Sequence, residues 1–137
     1  MKRALRIGVI GMLLLGGRSA AAAAQQVHQV RLEMNAGNDE YRFSPSTISA
    51  QPGDVLLFKT ASGAPHSVVF EPKALSPRAR DALNAAMPRR SADLSSPLLT
   101  ENGAEYRVVV PALPTGAYAF YCLPHRAYDM RGELKIR

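Results

Sequence analysis

The chain has 137 residues, 47% hydrophobic and 20% charged, with 17 basic and 11 acidic side chains for a formal net charge of +6 at pH 7. That length suits one domain around a single core, and one cysteine excludes an internal disulfide framework. Recognition of nucleic acid would call for a basic stripe with interleaved aromatics, and the sequence shows none.

Residues 1 to 24 read as a secretory signal peptide. Lys2, Arg3 and Arg6 form a positive start, Ile7 to Leu15 is a short apolar run, and Ser19 to Ala24 offers small-residue cleavage sites, with cleavage expected after Ala24. The apolar run is too short for a bilayer, which takes roughly 20 apolar residues. Lys2, Arg3, Arg6 and Arg18 leave with the signal and no acid does, so the 17 basic residues fall to 13 against 11 acidic, a net +2. Most of the basicity is therefore an address. The mature chain, residues 25–137, is expected in the periplasm or another extracytoplasmic space, without an integral membrane segment.

Val27 to Met34 alternates as a first strand, with His28, Val30, Leu32 and Met34 on the expected inner face. Asn35 to Glu40 is a turn cluster. Tyr41 to Pro45 reads as an edge segment, because proline cannot donate to a ladder. Thr47 to Ala50 starts a strand, Gln51 to Asp54 carries turn chemistry, and Val55 to Thr60 is a buried strand. Ala61 to Pro65 is a loop, followed by an apolar strand beginning at His66.

Glu71 to Gly103 is the least strand-like part. Ser76 as N-cap and Pro77 at the first helical position open a short helix to Met87, whose stripe is Ala79, Ala82, Leu83, Ala86 and Met87. Arg89 to Thr100 reads as a loop lying on the body through Leu94, Leu98 and Leu99. Glu105 to Val110, Ala117 to Cys122 and Gly132 to Arg137 complete seven or eight strands with turns between them. The pattern is that of an all-β, Greek-key antiparallel sandwich in which the helix and loop are decoration.

The chemistry concentrates near the C-terminus, where Cys122, His125 and Met130 fall within nine residues. A lone thiol in an oxidising compartment is buried, paired between chains or bound to metal. A thiolate, an imidazole and a thioether together favour copper: Cu(I) prefers sulfur, Cu(II) prefers imidazole, and a site serving both takes two His and one Cys with a weak axial Met. His66 is the natural second imidazole. It shares a strand face with Val68 and Phe70, as Cys122 does with Phe120 and Tyr118, and antiparallel packing would bring both to one end of the sandwich. A single Cys excludes a dinuclear centre with two bridging thiolates.

Phe43-Ser44-Pro45 with Gln51-Pro52-Gly53-Asp54, then Pro65-His66-Ser67-Val68-Val69-Phe70, then Tyr121-Cys122-Leu123-Pro124-His125-Arg126 with Met130-Arg131-Gly132, resemble the plastocyanin family of cupredoxins over most of residues 27 to 137. Tyr128 and Asp129 stand where that family usually has small residues. The resemblance implies a type 1 (blue) site holding one copper ion through His66, Cys122, His125 and Met130. It also implies a one-electron carrier rather than an enzyme, with redox protein partners docking near an exposed edge of His125. The chain is expected to be a monomer.

The rival readings are weaker. A copper carrier or buffer would expose a Met-rich or His-rich tract, and a nitrite reductase or multicopper oxidase fragment would need more than three histidines. A metal-free scaffold would have no use for the complete ligand set. His28 reads as a partly buried strand histidine. Arg89, Arg90 and Arg126 read as solvated faces before a docking surface for an acidic partner, and Tyr121 and Tyr128 as packing around the site. Backbone N–H groups near Ser67 and Leu123 are candidate donors to the sulfur.

Overall fold

Residues 23–137 are described in a computed structural model; the expected signal lies outside them apart from its last two residues. Strands form where apolar and polar side chains alternate. β1 (Val27–Asn35) buries Val30 and Leu32 and exposes Gln29 and Arg31. β2 (Glu40–Ser44), β3 (Thr47–Ala50), β4 (Val55–Thr60) and β5 (Val69–Phe70) follow, then β6 (Glu105–Val109), β7 (Gly116–Tyr121) and β8 (Arg131–Ile136). As the alternation predicts, Leu134 and Ile136 of β8 point inward. Two sheets result, with strand orders β2-β1-β4-β6 and β3-β8-β7-β5.

Their inner faces meet on four phenylalanines. Phe120 of β7 sits with its ring centroid 4.8 Å from Phe43, 5.6 Å from Phe58 and 5.8 Å from Phe70, edge-on to each. Edge-to-face contacts of this kind suit the aromatic quadrupole and join both sheets through one side chain. The all-β sandwich stands, but its pairing is mixed rather than wholly antiparallel. The β1–β4 and β3–β8 ladders are parallel. Only Pro45 and Ser46 separate β2 from β3, so the chain bends from one sheet into the other without reversing, and β4 then returns alongside β1 in the same direction.

The decoration closes an edge. Helix α1 (Pro77–Ala86) starts where Ser76 Oγ accepts from Ala79 N at 3.2 Å, and it buries Ala79 and Leu83. The chain then runs back beside residues 66–70. His66 and Leu99 exchange both backbone bonds, Ser96 N donates to Val68 O, and Phe70 N donates to Leu94 O. The expected loop is thus a cover over the β5 edge, which would otherwise present unpaired backbone groups. Leu94 and Leu99 are buried as expected, whereas Leu98 is 55% exposed. Sharing its backbone bonds with this irregular cover leaves the strand after His66 only two residues long.

At the opposite end, buried Asp54 accepts from Gln26 N and Gln51 N, both at 3.1 Å, and its other contact is His28 Nε2 at 2.9 Å. The His28 bond holds its carboxyl below the usual carboxylate range against the upward push of burial, and the two N–H groups add to the lowering. A carboxylate depressed in the folded state contributes stability above its unfolded value, about 3.9, which is lost as pH falls through the lower folded value. Asp54→Asn is expected to cost about 2–3 kcal/mol at pH 7, through weaker bonds to these donors. It should also flatten the loss of stability below about pH 4. Urea midpoints across the acid range check both; an acid limb unchanged by the substitution would assign it to other groups.

Candidate metal centre

β7 ends at Tyr121, so Cys122 is the first residue beyond the ladder. From there the chain makes one 3₁₀ turn, Arg126–Tyr128, and reverses through Asp129 in the left-handed region (φ 56°) before entering β8. Backbone bonds close this loop: Cys122 N donates to Met130 O at 3.0 Å, and His125 N to Cys122 O and Met130 N to His125 O, both at 3.3 Å. The residues just after Pro65, leading into β5, lie alongside. Leu123 N donates to Ser67 Oγ at 3.0 Å and Ser67 N points at Cys122 Sγ at 3.4 Å. Two segments more than fifty positions apart are thereby pinned at one pole.

Three donors converge there. Cys122 Sγ lies 3.7 Å from His66 Nδ1 and 3.5 Å from His125 Nδ1, and the donor atoms of the three residues all lie within 4.8 Å of one another. His66 Nε2 sits 2.7 Å from Ser62 O. A carbonyl only accepts, so Nε2 carries the proton and Nδ1 presents a lone pair toward the sulfur. Burial lowers the pKa of both imidazoles; the Ser62 bond partly opposes this at His66, and proximity of His66 adds to it at His125. Neutral rings keep their ligating lone pairs. Burial pushes the Cys122 thiol up, while N–H groups of Ser67 and His125 and the Ser67 hydroxyl pull the other way. Met130 is fully buried and tied by its backbone to both Cys122 and His125.

Of the four expected site residues, His66, Cys122 and His125 bring their donor atoms to one place, and Met130 joins them through its backbone. Of the two donors foreseen near sulfur, the Ser67 N–H is one while the Leu123 N–H goes to the Ser67 hydroxyl instead. His125 is less open than expected, at 7% exposure. The pole around it carries Leu123 and Tyr128, each more than half exposed. Arg126 is engaged: its guanidinium lies 4.5 Å from the centroid of the Tyr121 ring and 3.9 Å from Glu71. Tyr41, taken only as an edge-strand residue, proves to be part of the site, with its ring stacked on the His125 imidazole at 3.7 Å and 14°. The clue was its spacing: Tyr41 and Phe43 share the inward face of β2, and Tyr41 is the member nearer the pole.

Two neutral imidazole nitrogens and one sulfur, all buried and mutually close, form a donor set that fits copper in both oxidation states. A family model described as copper binding proteins of the plastocyanin/azurin family matches residues 29–137. The chain is 32% identical over 107 residues to plastocyanin of Vicia faba, covering 78% of this chain and 99% of that protein. It is 30% identical over 126 residues to chloroplastic plastocyanin of Pisum sativum, covering 92% and 70%. A solved mutant plastocyanin of fern superposes with a TM-score of 0.61 at 26% identity, over 80% of this chain and all of that one.

Proposed function

The chain belongs to the plastocyanin/azurin family of copper-binding proteins, and from that premise we propose that it is an exported carrier of single electrons and not an enzyme. His66, Cys122, His125 and Met130 would hold one copper ion, which when bound supplies the Cu(I)/Cu(II) couple. The convergence of His66, Cys122 and His125 within 4.8 Å carries this reading. The rest of the chain keeps the donors still. Ser62 orients one imidazole, the Ser67 N–H supports negative charge on the sulfur, and the 122–130 loop is closed on its own backbone. A pocket that stays put between oxidation states limits rearrangement, the main demand on a carrier.

Residues 25–137 would act as a monomer in the periplasm or a comparable space, meeting redox proteins at the pole bearing Leu123 and His125. Among the described residues no helix is long and apolar enough to cross a membrane. Adding Cu(II) to the purified mature chain is expected to give intense absorption toward the red end of the visible spectrum, with one copper per chain. A pale complex refutes the blue site. Reversible reduction with the metal retained supports the carrier, whereas ready surrender of copper to a chelator would turn the assignment to a copper buffer on the same fold.

A further inference from the structure

The two imidazoles are held by different means. His66 is locked by a 2.7 Å bond from Nε2 to a backbone carbonyl. His125 has no such partner among the described residues: its side-chain polar contact there is Nδ1 to Cys122 Sγ, at 3.5 Å. Backbone bonds fix where its Cα sits and leave rotation about the side-chain bonds open. What restrains the ring is Tyr41, lying nearly parallel on its face at 3.7 Å, with the His66 ring at 4.9 Å and 60°.

Tyr41 itself has neighbours on three sides. β2 pairs with β1 so that Tyr41 lies opposite Met34, and Tyr128 leans on the Tyr41 ring at 4.8 Å. On a third side is Gly63, with φ at 70°, where an added Cβ would overlap the Met34 side chain and lie 3.4 Å from Tyr41 Cε1. The backbone comes this close only because Gly63 has no side chain. The loop that carries the Ser62 carbonyl to His66 thus also backs the ring that covers His125.

We propose that Tyr41 is a positioning residue for His125, fixing the imidazole plane by stacking where His66 is fixed by a hydrogen bond. The proposal rests on His125 being a copper ligand, and its test separates the two ideas. In the metal-free protein the His125 ring protons should be shifted upfield by the Tyr41 ring current. Tyr41→Phe should keep that shift and Tyr41→Leu should lose it; should the leucine variant fail to fold, Tyr41→Ile, β-branched for an edge strand, replaces it. With copper loaded, the aliphatic variant should release metal to a chelator about three- to tenfold faster, the range an aromatic pair supplies, while Tyr41→Phe matches the parent. An unshifted imidazole in the parent, or an aliphatic variant matching the parent in release, overturns the proposal. So does a phenylalanine variant that behaves like the aliphatic one, because only the ring is invoked. If the parent shows the ring-current shift and never colours with Cu(II), the ligand assignment fails and the stacking stands.

Discussion

Cys122→Ser will leave a folded protein that binds Cu(II) without the intense visible absorption and holds Cu(I) roughly 100-fold or more less tightly. The fold should survive because Cys122 lies at the end of β7 and its pocket already offers a donor. The Ser67 N–H, 3.4 Å from the sulfur, can turn to the new hydroxyl, so no buried polar group is stranded. The metal chemistry should not survive. A serine hydroxyl does not ionise near neutrality and is a hard donor, so it replaces neither the charge nor the softness of a thiolate. His66 and His125 remain, and their neutral nitrogens keep some affinity for Cu(II). Visible spectra of the copper-loaded proteins, Cu(I) competition with a chelator, and thermal unfolding of the metal-free forms together make the measurement. A serine variant that keeps both colour and Cu(I) affinity would place the ion away from residue 122.

Much of this candidate site was legible in the chain because it holds one cysteine and three histidines, and their spacing is informative. Cys122, His125 and Met130 lie in one loop, and His66 could be assigned to the same pole by strand alternation and antiparallel return alone. The core of β8 and the Ser76 cap of α1 could be read by the same local rules. Features that depended on non-local contacts could not. Parallel β1–β4 pairing follows from a sheet switch at Pro45 and Ser46, and nothing local to either strand announces it. The cover at residues 91–99 borrows its backbone partners from residues 66–70, so its own composition looks like loop. Tyr41 touches His125 across more than eighty positions, a contact that edge-strand patterning hints at without naming the partner.

Phe120→Ala is expected to remove about 3–5 kcal/mol of stability, out of the roughly 5–15 kcal/mol typical of a small domain. The ring is 1% exposed and touches three other phenylalanines from both sheets, so its loss opens a cavity that neither sheet can collapse alone. Its register partner on β8 is Gly132. A Cβ added at Gly132 would overlap the tip of the Phe120 ring and sit 3.0 Å from Ser46 O. Gly132→Ala alone should therefore cost about 1–3 kcal/mol as overpacking, by driving the ring off its aromatic contacts. In the Phe120→Ala background the same methyl enters vacated space, so the double variant should be more stable than the two single costs predict, by a coupling of about 1–3 kcal/mol. Urea unfolding of the four proteins at one pH closes the cycle. Strict additivity would mean that the Gly132 methyl is absorbed elsewhere, most simply against Ser46. Because Phe120 stands two residues before Cys122 on the strand that presents the sulfur, the single Gly132→Ala protein should also show a shifted visible band, while the double variant recovers part of that shift.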